Sequence, residues 1–213
     1  MKKAKKYLIE FTLVIVGILI AFSIENWAQQ RNDRAALQSY LRQIQLDLNN
    51  DATALQEIVV LDSLNILKLK ILYQRVNEGK FGGIDSLASL LVSYRAYSTS
   101  TIGYSMLVNS PQSSLLSTEL YAHITEFYGE FANFHKEQLQ LERDFTNGYL
   151  SPLYLQYYKH LEQAATRPDF NAIAFAGYTQ GRIVLLGQVL EARKLLLAES
   201  RKLQLVLEKK ITL

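Results

Sequence analysis

The most constraining feature of this chain is a continuous apolar segment near its N-terminus, Tyr7 to Trp27, which reads YLIEFTLVIVGILIAFSIENW. The hydrocarbon core of a bilayer is about 30 Å thick, and a helix that rises about 1.5 Å per residue needs roughly 20 apolar residues to cross it. The segment has this length, and an aromatic residue stands at each end, where such rings prefer the headgroup region. The sequence therefore predicts a single transmembrane helix over residues 7–27.

The residues that flank this segment predict its orientation. A basic tail over residues 1–6 carries four lysines, whereas the arginines of the other flank, residues 25–34, are balanced by acids. Positive residues near a span favour the cytoplasmic side. We therefore expect a cytoplasmic N-terminus and a periplasmic or exterior body, residues 28–213, at the cell inner (plasma) membrane. The predicted membrane-interface anchors are Lys2, Lys3, Lys5, Lys6, Tyr7 and Trp27.

A cleaved signal peptide is the alternative to a permanent anchor, because the tail is basic and Ala21 and Ser23 could form a small-residue cleavage site. We expect a retained signal anchor. Glu10 opposes insertion, but by less than the ~2.5 kcal/mol typical of a central acid, because it lies near one edge of the segment.

One face of the predicted span combines small residues with an acid. At 100° per residue the members of this face form a narrow stripe, and Gly17 with Ala21 makes the small-xxx-small pair that lets two helices approach closely in lipid. The stripe predicts a helix–helix interface. The alternative is that small residues are ordinary in spans and that the acid reaches headgroup water. The predicted interface residues are Glu10, Val14, Gly17, Ala21, Ile24 and Ala28.

Composition excludes several classes of function. The net charge is +3 and the tail holds four of the positive residues, so the rest of the chain is close to neutral and has no electrostatic footprint for nucleic acid. The chain has no cysteine, which excludes disulfides and thiolate chemistry.

The body is predicted to be helical. No glycine or proline occurs between Trp27 and Gly79, so we expect the span to continue into the body as one long helix that ends at the Gly79–Gly83 turn. An apolar stripe at spacings of three and four predicts the buried face of this helix. Its residues are Leu37, Leu41, Ile44, Leu48, Leu55 and Ile58, followed on a drifting face by Leu61, Leu64, Leu67 and Ile71.

Two further long helices complete the predicted fold. Ser117 is a good N-cap for the first, and Asp169 or Asn171 for the second. The first either ends at residues 146–148, with a new helix from Ser151-Pro152, or continues as one kinked helix to about Gln163. The seam of the first is Leu120, Ile124, Phe127, Phe131, Phe134, Leu141 and Phe145, with Gln138 its polar member. The seam of the second is Ile183, Leu186, Leu190, Leu197, Leu203 and Leu207. We therefore expect an all-α protein in which one transmembrane helix continues into an antiparallel helical bundle.

The sequence offers no catalytic constellation. The histidines, His123, His135 and His160, lack the spacing of a di-metal bundle or a zinc motif, and no phosphate-binding or nucleophile-elbow motif is present. We predict no catalytic, cofactor-binding or metal residues and no cofactor. The tyrosines near Tyr149 and Tyr154 either line a pocket or fill a bundle surface.

The segment EFTLVIVGILIAFSIENWAQQRNDR, with its acid, its Val-Gly-Ile-Leu-Ile-Ala core and its Asn26-Trp27 close, resembles a bacterial family of single-span proteins of unknown function. Residues 101–128, which reach the aromatic pair Phe127-Tyr128, are similar to the middle segment of that family. Gln29 and Gln30 stand where the family pattern has more charge. The resemblance implies an anchor with a cytoplasmic N-terminus and a helical exterior domain, and it brings no catalytic residues.

Three hypotheses for function follow. The first is a non-enzymatic, membrane-anchored structural or accessory subunit, with the lipid bilayer as one partner, that forms a homo-oligomer or joins a membrane protein complex. The second is an ion-conducting oligomer in which Glu10 faces the lumen. The third is a ligand-sensing exterior bundle.

Overall fold

The computed structural model describes the backbone of residues 2–156 and 160–211 and the side chains of residues 11–156 and 160–210. Helix α1 runs without interruption over Lys2–Asn77, so the prediction that the apolar segment continues into the body as one helix is confirmed. The helix ends where Gly79 adopts a φ of 67°, a conformation that only glycine adopts at little cost.

The rest of the described chain is also helical. Short pieces follow α1, namely α2 (Asp85–Ala88), α3 (Ile102–Val108) and the 3₁₀ turns Ser89–Leu91 and Pro111–Leu115. A long central helix comprises α4 (Thr118–Glu126), a first π-segment (Phe127–Phe131), α5 (Ala132–Phe145), a second π-segment (Thr146–Leu150) and α6 (Ser151–Gln156). Helices α7 (Leu161–Ala164) and α8 (Ala172–Ile211) complete the described elements. The described residues contain no strand, and the all-α prediction is confirmed.

Helix α8 packs antiparallel to α1 and to the central helix. Ser200 Oγ lies 3.4 Å from the carbonyl oxygen of Leu48, whereas Arg193 bonds Asp62, further along α1. Ser117 caps α4 by accepting a hydrogen bond from the Leu120 backbone N–H at 3.3 Å, and the Asn171 side chain accepts one from Ala174 at 2.9 Å. Both predicted caps are confirmed.

Within the described side chains the core divides into two apolar clusters. The first surrounds Ile44, Leu48 and Leu196, and the second surrounds Leu69, Phe175 and Leu186. The six predicted seam residues of α8 are all buried. Along α1 and α8, the buried polar side chains of Asp62, Asn65 and Arg193 lie between the two clusters, and Glu142 and Arg182 are also buried.

The predicted buried face is wrong for the second half of α1. Leu61, Leu64, Leu67 and Ile71 are exposed. The buried positions instead follow a strict seven-residue repeat. Packing along one partner helix requires a hydrophobic period of 3.5 residues, and these four apolar side chains do not fall on that repeat. The buried positions of that repeat are Leu41, Leu48, Leu55, Asp62, Leu69 and Val76.

The predicted seam of the central helix is also wrong beyond the first π-segment. Leu120, Ile124 and Phe127 are buried as expected, but Phe134 and Leu141 are 43% and 53% exposed. A π-turn accommodates one extra residue, which rotates the following helix relative to an α-helical register. His135 and Glu142 therefore occupy the inward positions that the sequence pattern assigned to Phe134 and Leu141.

Gly103 marks the closest approach of α3 to α1. A Cβ atom at this position would lie 2.5 Å from the backbone nitrogen of Ile44. We expect Gly103→Ala to lower the free energy of unfolding by about 2 kcal/mol, because the clash is with backbone and α3 must move. Urea unfolding followed by circular dichroism in detergent measures the change.

Gly187→Ala is the matched control, since a Cβ at this position in α8 meets nothing within 4 Å. It should raise stability by ~0.5–1 kcal/mol, the usual gain for alanine over glycine inside a helix. Equal effects of the two substitutions would contradict the close packing of α3 on α1.

Candidate functional site

The first part of α1 is an exposed rod that is apolar from Phe11 to Ile24. Every residue from Phe11 to Asn32 is exposed, a length of about 33 Å at 1.5 Å per residue. The most apolar 18-residue window of this helix has a mean hydropathy of 1.9, and none of it is buried. By length and composition the rod can cross a membrane, as an anchor or as a signal sequence.

The predicted interface residues lie along this rod. Val14 and Ile24 are each 61% exposed, Ala21 and Ala28 are exposed, and a Cβ at Gly17 would meet nothing within 4 Å. The face is therefore free in the monomer, and its role as an interface stays a prediction. Glu10 belongs to α1, but its side chain lies outside the described residues.

The predicted membrane-interface anchors are only partly described. Trp27 is 63% exposed, and the Arg31 guanidinium lies 5.7 Å from the centre of its ring, within the range of a cation–π contact. The side chains of the remaining anchors, Lys2, Lys3, Lys5, Lys6 and Tyr7, lie outside the described residues.

The body contacts α1 first at Asp33, whose carboxylate accepts a hydrogen bond from Gln112 at 2.9 Å. Beyond this point α1 becomes part of the bundle. The boundary at Trp27 between span and body stays a prediction.

Inside the body, an extended segment of residues 92–101 lies between the helices and is held by buried charges. It has neither helical nor strand structure, so its backbone groups need partners from side chains. Arg182 donates to the carbonyl oxygen of Ser93 at 2.7 Å, and Arg193 donates to that of Arg95 at 2.6 Å. We call residues 92–101 the extended segment.

Carboxylates of α1 complete this arrangement. Asp51 accepts from the Ser100 backbone N–H at 3.0 Å, and Asp47 accepts from the N–H of Gly103, at the start of α3, at 2.8 Å. Burial raises the pKa of Asp51, against the opposing effects of the Tyr97 hydroxyl and the Ser100 N–H. The charged side chains thus supply donors and acceptors that a neighbouring strand would otherwise provide.

The two arginines are themselves paired. Arg193 bonds Asp62, which also accepts from Arg95 at 3.0 Å. Arg182 lies 2.7 Å from a carboxylate oxygen of Glu142, and both side chains are at most 1% exposed. Removal of one partner from such a buried pair typically costs 3–5 kcal/mol.

A cavity of about 300 Å³ opens beside this network. Its walls come from the extended segment, the first π-segment and α5. Its lining residues are Tyr97, Ser98, Thr99, Thr101, Tyr128, Ala132, Asn133, His135 and Lys136.

Buried polar atoms without partners occur both in residues that line this cavity and around the Arg182–Glu142 pair. Among the described residues, the hydroxyls of Thr99 and Tyr128 and Nε2 of His135 are buried and have no hydrogen-bond partner, whereas the Tyr97 hydroxyl lies beside the Asp51 carboxylate. Each such atom costs about 1–3 kcal/mol if it stays unpaired.

The ionisation states of the cavity residues follow from their surroundings. Burial and the charge of Arg193 lower the pKa of His135 to about 4, so the imidazole is neutral near pH 7. Burial raises the pKa of Tyr97 and of Tyr128, and the carboxylates of Asp47 and Asp51 contribute to the latter shift. Both phenols are therefore protonated.

Sequence reasoning missed this site. It weighed His135 only as a metal ligand and assigned no role to the acids of α1 within the body. The available signal was the seven-residue repeat, since Asp62 follows Leu55 by seven residues and Arg193 follows Leu186 by seven. A charge at such a position, flanked by leucines, is typical of a buried polar layer.

Together the fold and site define a class: an all-α protein with an exposed apolar N-terminal rod and a bundle that contains a polar cavity. The chain matches the model of a family of unknown function, DUF6090, over residues 10–137, and it belongs to that family. The match includes every residue that lines the cavity. No curated protein and no solved structure matches the chain.

The lowered pKa of His135 makes stability depend on pH. The unfolded chain takes up a proton below about pH 6.5, whereas the folded chain stays neutral at this imidazole down to about pH 4. Acid therefore favours the unfolded state, and this residue accounts for a loss of roughly 3 kcal/mol between pH 6.5 and 4. We expect His135→Gln to reduce the fall in unfolding free energy over this interval, measured by urea unfolding at several pH values.

His123→Gln is the control, because the His123 side chain is 47% exposed. It should keep the pH dependence of the unchanged chain. If His135→Gln also kept it, the buried neutral state of His135 would be excluded.

Proposed function

We propose that this protein is a single-pass, membrane-anchored helical protein that holds its bundle at the membrane surface. The observation that carries the proposal is the rod of residues 11–32, which is exposed throughout, about 33 Å long, and apolar from Phe11 to Ile24. Such a surface is too large for a soluble monomer to leave in water. A bilayer about 30 Å thick matches it.

The lysines of the basic tail support a cytoplasmic N-terminus through the positive-inside rule, with the body on the exterior side of the inner membrane. The proposed role is that of a non-enzymatic structural or accessory subunit. It assembles with itself or with a membrane protein complex, and the stripe through Gly17 and Ala21 is the proposed contact between helices.

The insertion of the rod can be tested with a charge at its centre. We expect Ile18→Arg to move most of the chain from the membrane fraction to the soluble or aggregated fraction, because arginine at the middle of a span costs ~2.5–3.5 kcal/mol or more. Carbonate extraction of membranes, followed by immunoblotting, measures the distribution. Gln38→Arg, at an exposed position of α1 within the body, is the control and should stay in the membrane fraction.

The orientation of the chain in the membrane can be measured by cysteine labelling. The chain has no cysteine, so an introduced cysteine is the only residue of the chain that the thiol reagent labels. In intact spheroplasts, Glu137→Cys, at an exposed position of α5, should react with a membrane-impermeant maleimide, and Lys3→Cys should react only after lysis. Reaction of Lys3→Cys in intact spheroplasts would overturn the proposed orientation. Retention of Ile18→Arg in carbonate-washed membranes would overturn the anchor itself.

The proposed helix–helix contact can be tested with bulk at the stripe. We expect Gly17→Leu to weaken self-association or complex formation by tenfold or more, because the larger side chain separates the two backbones. Crosslinking and native mass spectrometry from detergent measure the distribution of species.

Ser23→Leu introduces the same side chain in place of another small residue, at a position rotated about 140° from the centre of the stripe. It should leave assembly unchanged. A strict monomer before and after Gly17→Leu, with no co-purifying protein, would remove assembly through this face from the proposal.

A further inference from the structure

We propose that two copies of this chain pair in parallel along the outer face of α1, so that exposed apolar side chains of the body are buried between them. The inference rests on the proposed function, because a common membrane holds both copies in one orientation. It names the partner as a second copy, and it adds an interface within the body to the contact proposed for the rod.

The bundle leaves one side of α1 uncovered. Val60, Leu64, Leu67 and Ile71 are 47–57% exposed, and we call these four residues the outer stripe. At 100° per residue the outer stripe lies on the side of α1 opposite Leu55 and the rest of the buried repeat. Single exposed apolar side chains need no explanation, whereas a continuous row of them marks an interaction surface.

The spacing of the outer stripe is that of a coiled coil. Its members follow one another by four, three and four residues, so Leu64 and Ile71 take position a of a heptad, and Val60 and Leu67 take position d. A second helix with the same pattern buries such a row most completely. A second copy, anchored in the same membrane by the same rod, presents this pattern at the same height above the bilayer.

The same heptad places two exposed polar residues of α1, Asn50 and Glu57, at position a. An asparagine at this position favours one register and one oligomeric state, at some cost in stability. Two Glu57 carboxylates that face each other repel, which weakens the pairing. The apolar contact in the body therefore comes mainly from the outer stripe, and Glu57 offers a substitution that should strengthen it.

The outer stripe is continuous with the interface proposed for the rod. Ile71 follows Gly17 by about fifteen turns of 3.6 residues, and α1 is unbroken between them. Ala28, Ala35 and Ser39 lie on the same side of the helix and are exposed. These small side chains let two α1 helices stay close together from the rod into the body.

The length of this face is sufficient for a stable pair. From Gly17 to Ile71 the helix rises about 80 Å, and a strip about 10 Å wide along it has an area of about 800 Å² in each copy. A standard protein–protein interface also buries about 800 Å² in each partner. Residues 46–71 alone provide about half of this area, so a stable pair requires both the rod and the body.

Single cysteines test the pairing in native membranes, with the full chain. In a parallel pair in register, Leu64→Cys and Ile71→Cys each face the same residue of the other copy, within reach of a disulfide. Lys70→Cys is the matched control, exposed on α1 and rotated about 100° from Ile71. After oxidation with copper phenanthroline, we expect roughly fivefold more covalent homodimer from the two stripe positions than from Lys70→Cys. Co-purification of two differently tagged copies identifies the homodimer, and equal yields at all three positions, or none, would exclude this interface.

Two substitutions on the same face should shift the affinity in opposite directions. We expect Leu64→Glu to weaken dimerisation about tenfold or more, because it places two carboxylates opposite each other. Glu57→Leu should strengthen it about tenfold, because it removes such a repulsion and extends the outer stripe. Leu141→Glu is the matched control at an exposed leucine of α5 and should leave dimerisation unchanged. Native mass spectrometry from detergent measures the dimer fraction, and circular dichroism melting verifies the fold of each variant.

Carbonate extraction of the same variants separates this inference from the proposed function. Leu64→Glu lies outside the rod and should stay in the membrane fraction while it loses the dimer. If assembly were lost in Gly17→Leu but kept in Leu64→Glu, the interface in the body would be ruled out, and the anchor and the rod contact would stand. If Leu64→Glu released a different protein instead of a second copy, the identity of the partner would be wrong.

Discussion

The interaction on which the body depends is the buried pairing of Asp62 on α1 with Arg193 on α8. It lies between the two apolar clusters and fixes how the two longest helices align, since a shift by one turn would leave both charges buried and unpaired. Arg193 also donates to the extended segment at Arg95, and the Arg95 side chain returns to Asp62. One carboxylate thus connects α1, α8 and the extended segment.

This connection explains why a helical core contains so many buried charges. The extended segment has a backbone that no helix or sheet satisfies, and its N–H and C=O groups require partners. Arginines from α8 and aspartates from α1 supply them at the segment's two ends. Two apolar seams alone would pack the long helices together. They would provide no hydrogen-bond partners for the backbone of the segment that forms one wall of the cavity.

Helix α1 is continuous, but its two parts have different surroundings. Over residues 11–32 the side chains are exposed, and those of residues 11–24 are mostly apolar, whereas further on the leucines pack against α8 and the central helix. No hinge separates the two parts, because α1 is continuous over Lys2–Asn77.

The sequence by itself determined the apolar rod, the continuity of α1, the turn at Gly79, both helix caps and the seam of α8. These depend on local propensity and on a repeat within one helix, which any close reading of neighbouring residues recovers. Tertiary structure decided which face of α1 beyond Leu55 is buried and where the central helix changes register. It also brought Tyr97, Tyr128 and His135 to one cavity. In the central helix, the spacing of apolar residues fails to predict the buried face because a π-turn shifts the helical register, and the residue pattern does not show where that turn occurs. A charge at a core position has meaning only when its partner, more than a hundred residues away, lies opposite it.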